Sequence, residues 1–260
     1  MERNESLRRD VAAIRERSPL VHNITNFVVM NNTANALLAL GASPVMAHAR
    51  EEAADMARLA RALVVNLGTL SPQWVEGMEL AMRTAREAGI PVVYDPVGAG
   101  ATPYRDEVNA KLLREAPPAI VRGNGSEIMA VAAGFGLGAA VRTKGVDSTA
   151  GSDAAVEAAA ALSEFLKAVV VVSGPTDYVV HGNEVMENGY GTPMMTRVTG
   201  MGCTASALCG AFAAVNGDPA EAALNAMALM GICGERAAAA SAGPGSFQTA
   251  FLDALYAFEA

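Results

Sequence analysis

The fold is decided by residues 63–96, which read LVVNLGTLSPQWVEGMELAMRTAREAGIPVVYDP. This stretch starts with a short apolar run, Leu63–Val65, and ends with a second one, Ile90–Tyr94. Between them the sequence predicts a helix over Ser71–Ala88, which ends at Gly89. Two β-branched runs on either side of one helix are typical of a βαβ unit. Their unbroken apolar character is typical of strands that are buried on both faces.

The same alternation of apolar run and helix continues outside this stretch. Ala119–Val121 and Lys167–Val172 are further apolar runs, and residues 177–187 predict a β-hairpin around the turn Gly182-Asn183. Other patterns predict helices at 4–17, 27–40, 51–61, 204–215, 219–240 and 246–258, a strand at 43–46 and a polar turn at Asn23–Asn26. We therefore predict an α/β fold with a mostly parallel central sheet and helices on both faces. No linker or repeat interrupts the sequence, so residues 1–260 are expected to form a single domain without a separate lid domain.

Composition and charge argue against several classes of protein. Apolar residues make up 52% of the 260 residues and charged residues 18%, which argues against disorder. The net charge of −8 lacks the positive field that a phosphate backbone requires, so nucleic-acid binding is not expected. The charged first ten residues lead into no signal-like apolar run, and no apolar stretch reaches the ~18 residues of a membrane span. We expect a cytoplasmic protein with no membrane partner.

The candidates for chemistry follow the apolar runs, because ligands of open parallel sheets bind beyond the carboxyl ends of the strands. These candidates are Asn66, Gly68, Asp95, Arg122, Asn124, Glu127, Ser173 and the turn Gly200–Cys203. They include two carboxylates, one guanidinium, one hydroxyl and a glycine-rich turn before a predicted helix. These groups are chemically compatible with one site.

The turn Gly200–Cys203 has the character of an anion site. Glycines let the backbone approach a ligand closely, and the amides at the start of the next helix attract phosphate. A thiol in this field can have a lowered pKa, so we expect Cys203 to act as a base or to tune the field. The alternative is that Cys203 is a small buried filler, which is the interpretation we prefer for Cys209 and Cys233. With three cysteines and no CxxC pair, neither a disulfide framework nor a structural zinc site is expected.

Asp95 and Glu127 are the predicted Mg²⁺ ligands, because Mg²⁺ prefers one or two carboxylates together with phosphate oxygens and water. The alternatives are that Asp95 caps a turn before Pro96 and that Glu127 is a solvated glutamate in the first turn of a helix. Arg122 suits phosphate oxygens, and its alternative is a surface salt bridge.

The three histidines share no metal-ligand spacing, and none is assigned a catalytic role. We expect His48 to face solvent and His181 to lie in the hairpin, and His22 is left without a functional assignment.

Four motifs together resemble the hydroxyethylthiazole kinase family, whose members have the ribokinase-like fold. The motifs are VHNITN at Val21–Asn26, YDPVGA at Tyr94–Ala99, RGNGSE at Arg122–Glu127 and GMGCT at Gly200–Thr204. Asn124-x-x-Glu127 is also similar to the NxxE motif of the wider fold family, where it is tied to Mg²⁺ and phosphate. Most ribokinase-like kinases have an aspartate base where this sequence has Cys203, and the cysteine is typical of the thiazole kinases.

The resemblance implies that ATP gives its γ-phosphoryl group to the primary hydroxyl of 4-methyl-5-(2-hydroxyethyl)thiazole in thiamine salvage. It also implies Mg²⁺ and a homotrimer with active sites at subunit boundaries. By the same resemblance, the thiazole would contact Asn26, Met46, Gly68 and Gly200, and the nucleotide side would comprise Arg122, Asn124 and Ser173. The catalytic turn would be Gly200, Met201, Gly202 and Cys203. Ser173 departs from the threonine of the family pattern but keeps the hydroxyl.

Other activities remain open at this stage. The same scaffold supports kinases of hydroxymethylpyrimidine or of sugars, and an ATP-dependent dehydratase of hydrated NAD(P)H. A non-catalytic nucleotide or thiazole sensor would keep the pocket without turnover. Cys203 in the aspartate position and the segment Asn23–Asn26 favour the thiazole kinases.

Overall fold

The computed structural model describes residues 2–137 and 148–259. Within these ranges one eight-stranded sheet forms the centre of the molecule. Its strands are β1 (Leu20–Ile24), β2 (Ser43–Val45), β3 (Ala62–Asn66), β4 (Val92–Asp95), β5 (Ile120–Asn124), β6 (Val169–Ser173), β7 (Asp177–His181) and β8 (Glu184–Asn188). The spatial order is β2-β1-β3-β4-β5-β6-β7-β8, with β1 to β6 pairing in parallel and β7 and β8 antiparallel. The predicted mostly parallel sheet and the predicted hairpin are both confirmed.

Helices cover both faces of the sheet. They are α1 (Glu2–Arg17), α2 (Met30–Leu40), α3 (Arg50–Leu59), α4 (Pro72–Glu87), α5 (Pro103–Glu115), α6 (Gly125–Gly134), α7 (Ser148–Leu166), α8 (Met201–Ala213), α9 (Pro219–Ala240) and α10 (Pro244–Tyr256). A short 3₁₀ helix spans Pro193–Arg197. Among the described residues, no helix is both long and apolar enough to cross a membrane.

The two faces of the sheet carry separate hydrophobic cores. Side chains of α1, α2 and α8–α10 form one core, and side chains of α3–α7 form the other. Strand β3 contributes to both, since Val64 belongs to the first core while Leu63 and Val65 belong to the second. Burial on both faces explains why the strand reads as a solid apolar run in the sequence.

Local side-chain signals set several of the element boundaries. The Ser71 hydroxyl accepts a hydrogen bond from the Trp74 amide at 3.3 Å, so it caps α4 directly before Pro72. Gly41 ends α2 in the left-handed region, with φ of +109°. Both boundaries lie where the sequence predicted them.

Among the boundaries that differ from the prediction, three concern the residues of the candidate site. The predicted turn at Asn23–Asn26 is wrong for Asn23 and Ile24, which lie in β1 and are buried. Strand β5 extends to Asn124 and therefore contains Arg122, which the sequence placed after the strand. Helix α8 begins at Met201 rather than at residue 204, because Gly200 serves as its N-cap. In each case polar or glycine residues that are typical of turns continue a regular element.

Parallel pairing brings the candidate residues to one edge of the sheet. Asn66 pairs with Asp95 at the ends of β3 and β4, and Asn124 pairs with Ser173 at the ends of β5 and β6. Strands β4 and β5 pair as far as Tyr94 and Val121, so Asp95 and Arg122 follow directly at the same edge. The fold thus collects the side chains that the next section describes.

Candidate active site

Asp95 lies at the centre of a buried hydrogen-bonded network. Its Oδ2 accepts hydrogen bonds from Asn66 Nδ2 at 2.8 Å and from Ser206 Oγ at 2.7 Å. Its Oδ1 is also buried but has no hydrogen-bond partner. Burial raises the pKa of Asp95 to about 6, and the charge of Glu127 adds to the rise, while Arg122 and the two hydrogen bonds oppose it. Within the described part of the chain, one carboxylate oxygen of Asp95 is therefore left free to bind a ligand.

Asn66 connects Asp95 to the predicted thiazole residues. Its Oδ1 accepts from Asn26 Nδ2 at 2.8 Å and from the Gly68 amide at 2.9 Å. A Cβ atom on Gly68 would lie 2.4 Å from Asn26 Nδ2, so this position accepts only glycine without a shift of Asn26. Asn26 also donates to Cys203 Sγ at 3.5 Å. The structure thus brings together Asn26, Gly68 and Cys203, which the sequence predicted separately.

The start of α8 forms the wall opposite these loops. Gly200 has φ of +84°, and a Cβ atom there would lie 2.8 Å from Val29 Cγ1. A Cβ atom on Gly202 would lie 2.8 Å from Arg122 Nη1, so the guanidinium packs directly against the first turn of the helix. Free amides and the helix dipole make such a turn favourable for an anion. The positive charge of Arg122 strengthens that preference.

The pKa of the Cys203 thiol is raised, so the expected lowering is wrong. Burial is the main cause, and the negative charge of Asp95 adds to it. Hydrogen bonds from Asn66 and Asn26 and the charge of Arg122 oppose the rise without reversing it. Desolvation therefore outweighs the two hydrogen bonds and the charge of Arg122 at this position.

Arg122 is buried, so the surface salt bridge considered for it is wrong. Its Nη2 donates to Ser173 Oγ at 2.5 Å, and Ser173 Oγ in turn donates to the Gly123 carbonyl at 3.2 Å. Its Nε is buried and has no hydrogen-bond partner among the described residues. A guanidinium with an unused buried donor is suited to a ligand oxygen.

Asn124 and Glu127 form a reciprocal cap at the start of α6. Asn124 Oδ1 accepts from the Glu127 amide at 2.9 Å, and Glu127 Oε2 accepts from the Asn124 amide at 2.9 Å. Glu127 Oε1 accepts from the Gly98 amide at 2.9 Å, which ties the loop after β4 to this helix. The alternative of a merely solvated glutamate is therefore wrong. Across residues 2–137 and 148–259, no group of three or more metal-binding side chains lies together.

A cavity of about 600 Å³ opens beside Arg122 and Ser173. Its lining includes Gly200, Met201 and Gly202 and continues to the methionines of the 3₁₀ helix and α9, namely Met195, Met227 and Met230. This volume and mostly apolar lining with few polar groups are typical of small-molecule sites.

Residues 11–260 match the model of the Hydroxyethylthiazole kinase family. The chain belongs to this family. It is 56% identical over 246 residues to the hydroxyethylthiazole kinase of Syntrophus aciditrophicus, covering 95% of this chain and 90% of that protein. It is 53% identical over 251 residues to that of Leptospira biflexa, covering 96% and 92%. The solved hydroxyethylthiazole kinase of Pyrococcus horikoshii superposes with a TM-score of 0.90 at 42% identity, covering 98% of this chain and 94% of that one.

More distant neighbours show how widely the fold is shared. The ADP/ATP-dependent NAD(P)H-hydrate dehydratase of Bacillus subtilis superposes with a TM-score of 0.58 at 16% identity, covering 92% of this chain and 90% of that one. At this identity the likeness shows the fold alone. The predicted ribokinase-like class is confirmed, and membership of the hydroxyethylthiazole kinase family favours the thiazole over the other acceptors.

For this thiazole kinase family member, sequence reasoning missed the roles of two residues. Asn66 was noted as a strand end, but its position between Asn26 and Asp95 depends on pairing between strands. Ser206 was not noted at all, although it lies three residues after Cys203 on the same helix and donates to Asp95. Hydroxyl groups one turn after a glycine-rich helix start are the signal that would have indicated it.

Met46 and the histidines lie outside the network. Met46 follows β2, the outermost strand, and its half-buried thioether makes no hydrogen bond in the network. His22 is buried in β1 with Nε2 2.6 Å from the Ala47 carbonyl, and burial lowers its pKa. His48 is half-buried against Trp74 at 4.3 Å between ring centroids, so the expected solvent-facing position is wrong. His181 ends β7, as predicted for the hairpin.

Proposed function

We propose that this chain transfers the γ-phosphoryl group of ATP to the primary hydroxyl of 4-methyl-5-(2-hydroxyethyl)thiazole, forming the thiazole phosphate and ADP in thiamine salvage. Membership of the hydroxyethylthiazole kinase family supports the reaction. The observation that carries it is the connected network in which Asn26, Asn66 and Asp95 meet the glycine-rich start of α8.

The nucleotide side of the site comprises Arg122, Ser173 and Asn124. Arg122 has an unused buried donor at Nε and is held in place by Ser173, which supports a contact with phosphate oxygens. Asn124 starts α6 and presents its helix N-terminus at the same edge of the sheet. The cavity beside Arg122 supplies apolar volume for the rest of the nucleotide.

The acceptor side comprises Asn26, Met46, Gly68 and Gly200. A neutral thiazole ring requires an apolar wall with few polar anchors, and a thioether packs well against rings. Asn26 is held by Asn66 and lies against Gly68, so its amide is a fixed polar anchor for the alcohol. Its contact with Cys203 supports an arrangement in which the alcohol meets the start of α8.

Catalysis depends on alignment and on neutralising charge, since phosphoryl transfer needs little covalent help. The amides of Gly200, Met201, Gly202 and Cys203 would hold the transferred group at the positive end of α8. Cys203 would take the proton of the alcohol as the new bond forms only in its thiolate form, whereas the neutral thiol that its raised pKa favours would tune the local field. A general base contributes ~10²–10⁴-fold, so the size of its effect separates these two roles.

Asp95 and Glu127 would hold Mg²⁺. The residues fit a divalent cation because Asp95 Oδ1 is buried without a partner among the described residues and because the charge of Glu127 raises the pKa of Asp95. Each Glu127 oxygen accepts one backbone hydrogen bond and keeps a second lone pair. The cation would neutralise the phosphate oxygens of ATP. We place the reaction in the cytoplasm, where Mg²⁺-bound ATP is available.

We further propose that the chain forms a homotrimer with its active sites at the subunit boundaries. Phe27 and Val28 directly follow Asn26, and they are 67% and 63% exposed. Large apolar side chains beside a site are typical of a surface that another chain covers. A neighbouring subunit seated there would close the acceptor side against water.

The test is ADP release from Mg²⁺-bound ATP with hydroxyethylthiazole, ribose or hydroxymethylpyrimidine as separate acceptors. We expect turnover with the thiazole alone. Cys203→Ala should lower kcat by at least about a hundredfold if Cys203 takes the proton. A smaller loss is still consistent with the kinase activity and means that alignment and charge neutralisation contribute most of the rate enhancement.

The control is Cys209→Ala, which removes a buried thiol of the same helix away from the network. It should leave the ratio of acceptors unchanged. Turnover with ribose or hydroxymethylpyrimidine instead of the thiazole would refute the proposed acceptor. No turnover with any of the three acceptors would favour the dehydratase or the non-catalytic sensor instead.

A further inference from the structure

Arg105 joins two loops of the site through their backbone carbonyls. It lies in the first turn of α5, where the Thr102 hydroxyl caps its amide at 3.3 Å. Its guanidinium donates from Nη1 to the Leu67 carbonyl and to the Val97 carbonyl at 2.6 Å. Its Nη2 donates to the Gly68 carbonyl at 2.8 Å. One half-buried side chain therefore satisfies three carbonyls that belong to two separate loops.

Both loops carry residues of the proposed site. Leu67 and Gly68 follow β3, and the Gly68 amide donates to Asn66, which also binds Asn26. Val97 follows β4 and precedes Gly98, whose amide donates to Glu127. Arg105 thus sets the spacing between the loop on the acceptor side and the loop that reaches Glu127.

The close approach of Asn26 to Gly68 makes the spacing between these two loops important. Asn26 approaches so closely that a Cβ atom on Gly68 would lie 2.4 Å from its amide nitrogen. A displacement of Gly68 by about 1 Å therefore moves Asn26 or opens a gap beside it, and misplacement on that scale can cost ~10²-fold in rate. The planar guanidinium presents donors in fixed directions, whereas a lysine ammonium presents one freely rotating centre.

We propose that Arg105 is a positioning residue that sets the acceptor pocket through Gly68 and Asn26. This inference rests on the proposed role of Asn26 and Gly68 in binding the thiazole. Arg105 acts through these residues and makes no contact with the reacting atoms. Its removal should weaken acceptor binding more than nucleotide binding, because Arg122 and Ser173 are held by their own hydrogen bonds.

The test compares Arg105→Met and Arg105→Lys with the wild-type protein. We expect KM for the thiazole to rise by about tenfold or more in Arg105→Met, with KM for ATP changed by less than about threefold. Arg105→Lys keeps the positive charge but lacks the planar guanidinium. It should therefore also raise KM for the thiazole while leaving KM for ATP nearly unchanged. If lysine restores wild-type KM for the thiazole, the fixed geometry of the guanidinium is not what matters and the proposal fails.

Arg15 offers a matched control, because it also binds backbone carbonyls only. It donates to the carbonyls of Leu40, Leu255, Tyr256 and Phe258. These lie near the C-terminal ends of α2 and α10, and α2 ends where β2 begins, at the edge of the sheet opposite the site. Arg15→Met should lower Tm and leave both KM values unchanged. An equal rise of both KM values in Arg105→Met would mean that Arg105 is merely structural.

Hydrogen exchange separates failure of this inference from failure of the proposed function. Without any ligand, the Gly68 amide should exchange faster in Arg105→Lys than in the wild-type protein, and Arg15→Met should not change it. Unchanged exchange at Gly68 refutes the positioning role whatever the acceptor is. If the Gly68 amide exchanges faster in Arg105→Lys but the wild-type protein does not phosphorylate the thiazole, Arg105 still positions the loop and the proposed acceptor is refuted.

Discussion

At Asp95 the fold buries a carboxylate and leaves one of its two oxygens without a partner. Asn66 and Ser206 satisfy the other oxygen, so the side chain is held firmly while part of its acceptor capacity is unused. Burial of an unpaired acceptor costs stability, typically ~1–3 kcal/mol. The cost is consistent with a group that is retained for a ligand.

The raised pKa of Asp95 predicts a distinct pH dependence of stability without ligand. Its pKa rises from 3.8 to about 6, so folding favours the protonated form. The stabilising contribution is complete below pH 3.8 and is lost as pH rises through about 6. Asp95→Asn should therefore be more stable than the wild-type protein at pH 8, by up to about 3 kcal/mol, and show no such gain at pH 4. Urea unfolding of both proteins between pH 4 and pH 8 measures this difference in stability.

Asp55→Asn is the control for this experiment. Asp55 is an exposed carboxylate of α3 that pairs with Arg58 at 3.0 Å. Its replacement should shift stability by well under 1 kcal/mol across the same range. If the free energies of unfolding of the wild-type protein and Asp95→Asn differ by the same amount at every pH from 4 to 8, the raised pKa of Asp95 is contradicted. Adding Mg²⁺ at pH 8 should raise Tm of the wild-type protein and leave Asp95→Asn unchanged.

Among the elements, α8 contributes most to the site through its first turn. Gly200 gives the turn its positive φ, and Gly202 leaves room for Arg122 to lie against the helix. The guanidinium then reaches Ser173 on β6. Arg122 thus connects the start of α8 with β5 and β6, and this contact requires that Gly202 has no side chain.

Gly202→Ala should disrupt this contact. The added methyl group would lie 2.8 Å from Arg122 Nη1 and displace the guanidinium from Ser173. We expect KM for ATP to rise by roughly tenfold, which corresponds to the loss of about 1.4 kcal/mol of binding. Steady-state kinetics with both substrates measures it, with circular dichroism as the check on folding.

The matched control is Gly134→Ala at the end of α6. A Cβ atom there meets no atom of the described residues within 4 Å, and alanine favours helix by up to about 1 kcal/mol. This variant should fold as well as the wild-type protein and keep its KM for ATP. If Gly202→Ala behaves in the same way, Arg122 does not set nucleotide affinity.

Most elements could be predicted from the sequence, because apolar runs, caps and glycine stops are local signals. The ends of α4 and the hairpin were of this kind. Strand β1 could not be recognised, because buried His22 and Asn23 look like turn residues until their neighbours are known. The start of α8 was missed because Gly-Met-Gly has the composition of a loop.

The candidate site was only partly predictable for a related reason. Position after a strand identified Asp95, Gly68 and Ser173, because parallel strands share one edge. The partners of those residues come from elsewhere in the chain, as Ser206 does for Asp95. The pKa of Cys203 was predicted in the wrong direction because the sequence does not reveal how deeply a thiol is buried.

For the whole molecule, the exposed apolar pair Phe27 and Val28 is one of the apolar surfaces that the described residues leave uncovered, and it directly follows Asn26. Phe27 rests on Trp74 with 4.8 Å between ring centroids, and its amide donates to Thr69, so the pair is held in an ordered loop. An ordered apolar surface is better suited to an assembly contact than a flexible one, because less entropy is lost on association.

Phe27→Glu should therefore prevent assembly and reduce turnover together. A charge in the proposed boundary would be buried without a partner on association. We expect trimer in the wild-type protein and monomer in Phe27→Glu by sedimentation velocity, with kcat/KM for the thiazole lowered at least about tenfold. A trimeric Phe27→Glu would place the boundary elsewhere.

Val185→Glu is the control for assembly. Val185 is 45% exposed in β8, at the opposite end of the sheet order from β2. The substitution adds the same charge to an exposed apolar position, so it should leave the trimer and its activity unchanged.

The raised pKa of the half-buried Cys203 thiol has a consequence for the chemical resilience of the protein. Electrophiles and peroxides attack the thiolate, and a thiol with a raised pKa presents little of it at neutral pH. Cys209 and Cys233 are more protected still, since burial raises the pKa of each to about 12. We therefore expect the sulfur at the start of α8 to react only slowly with alkylating agents and peroxides at neutral pH.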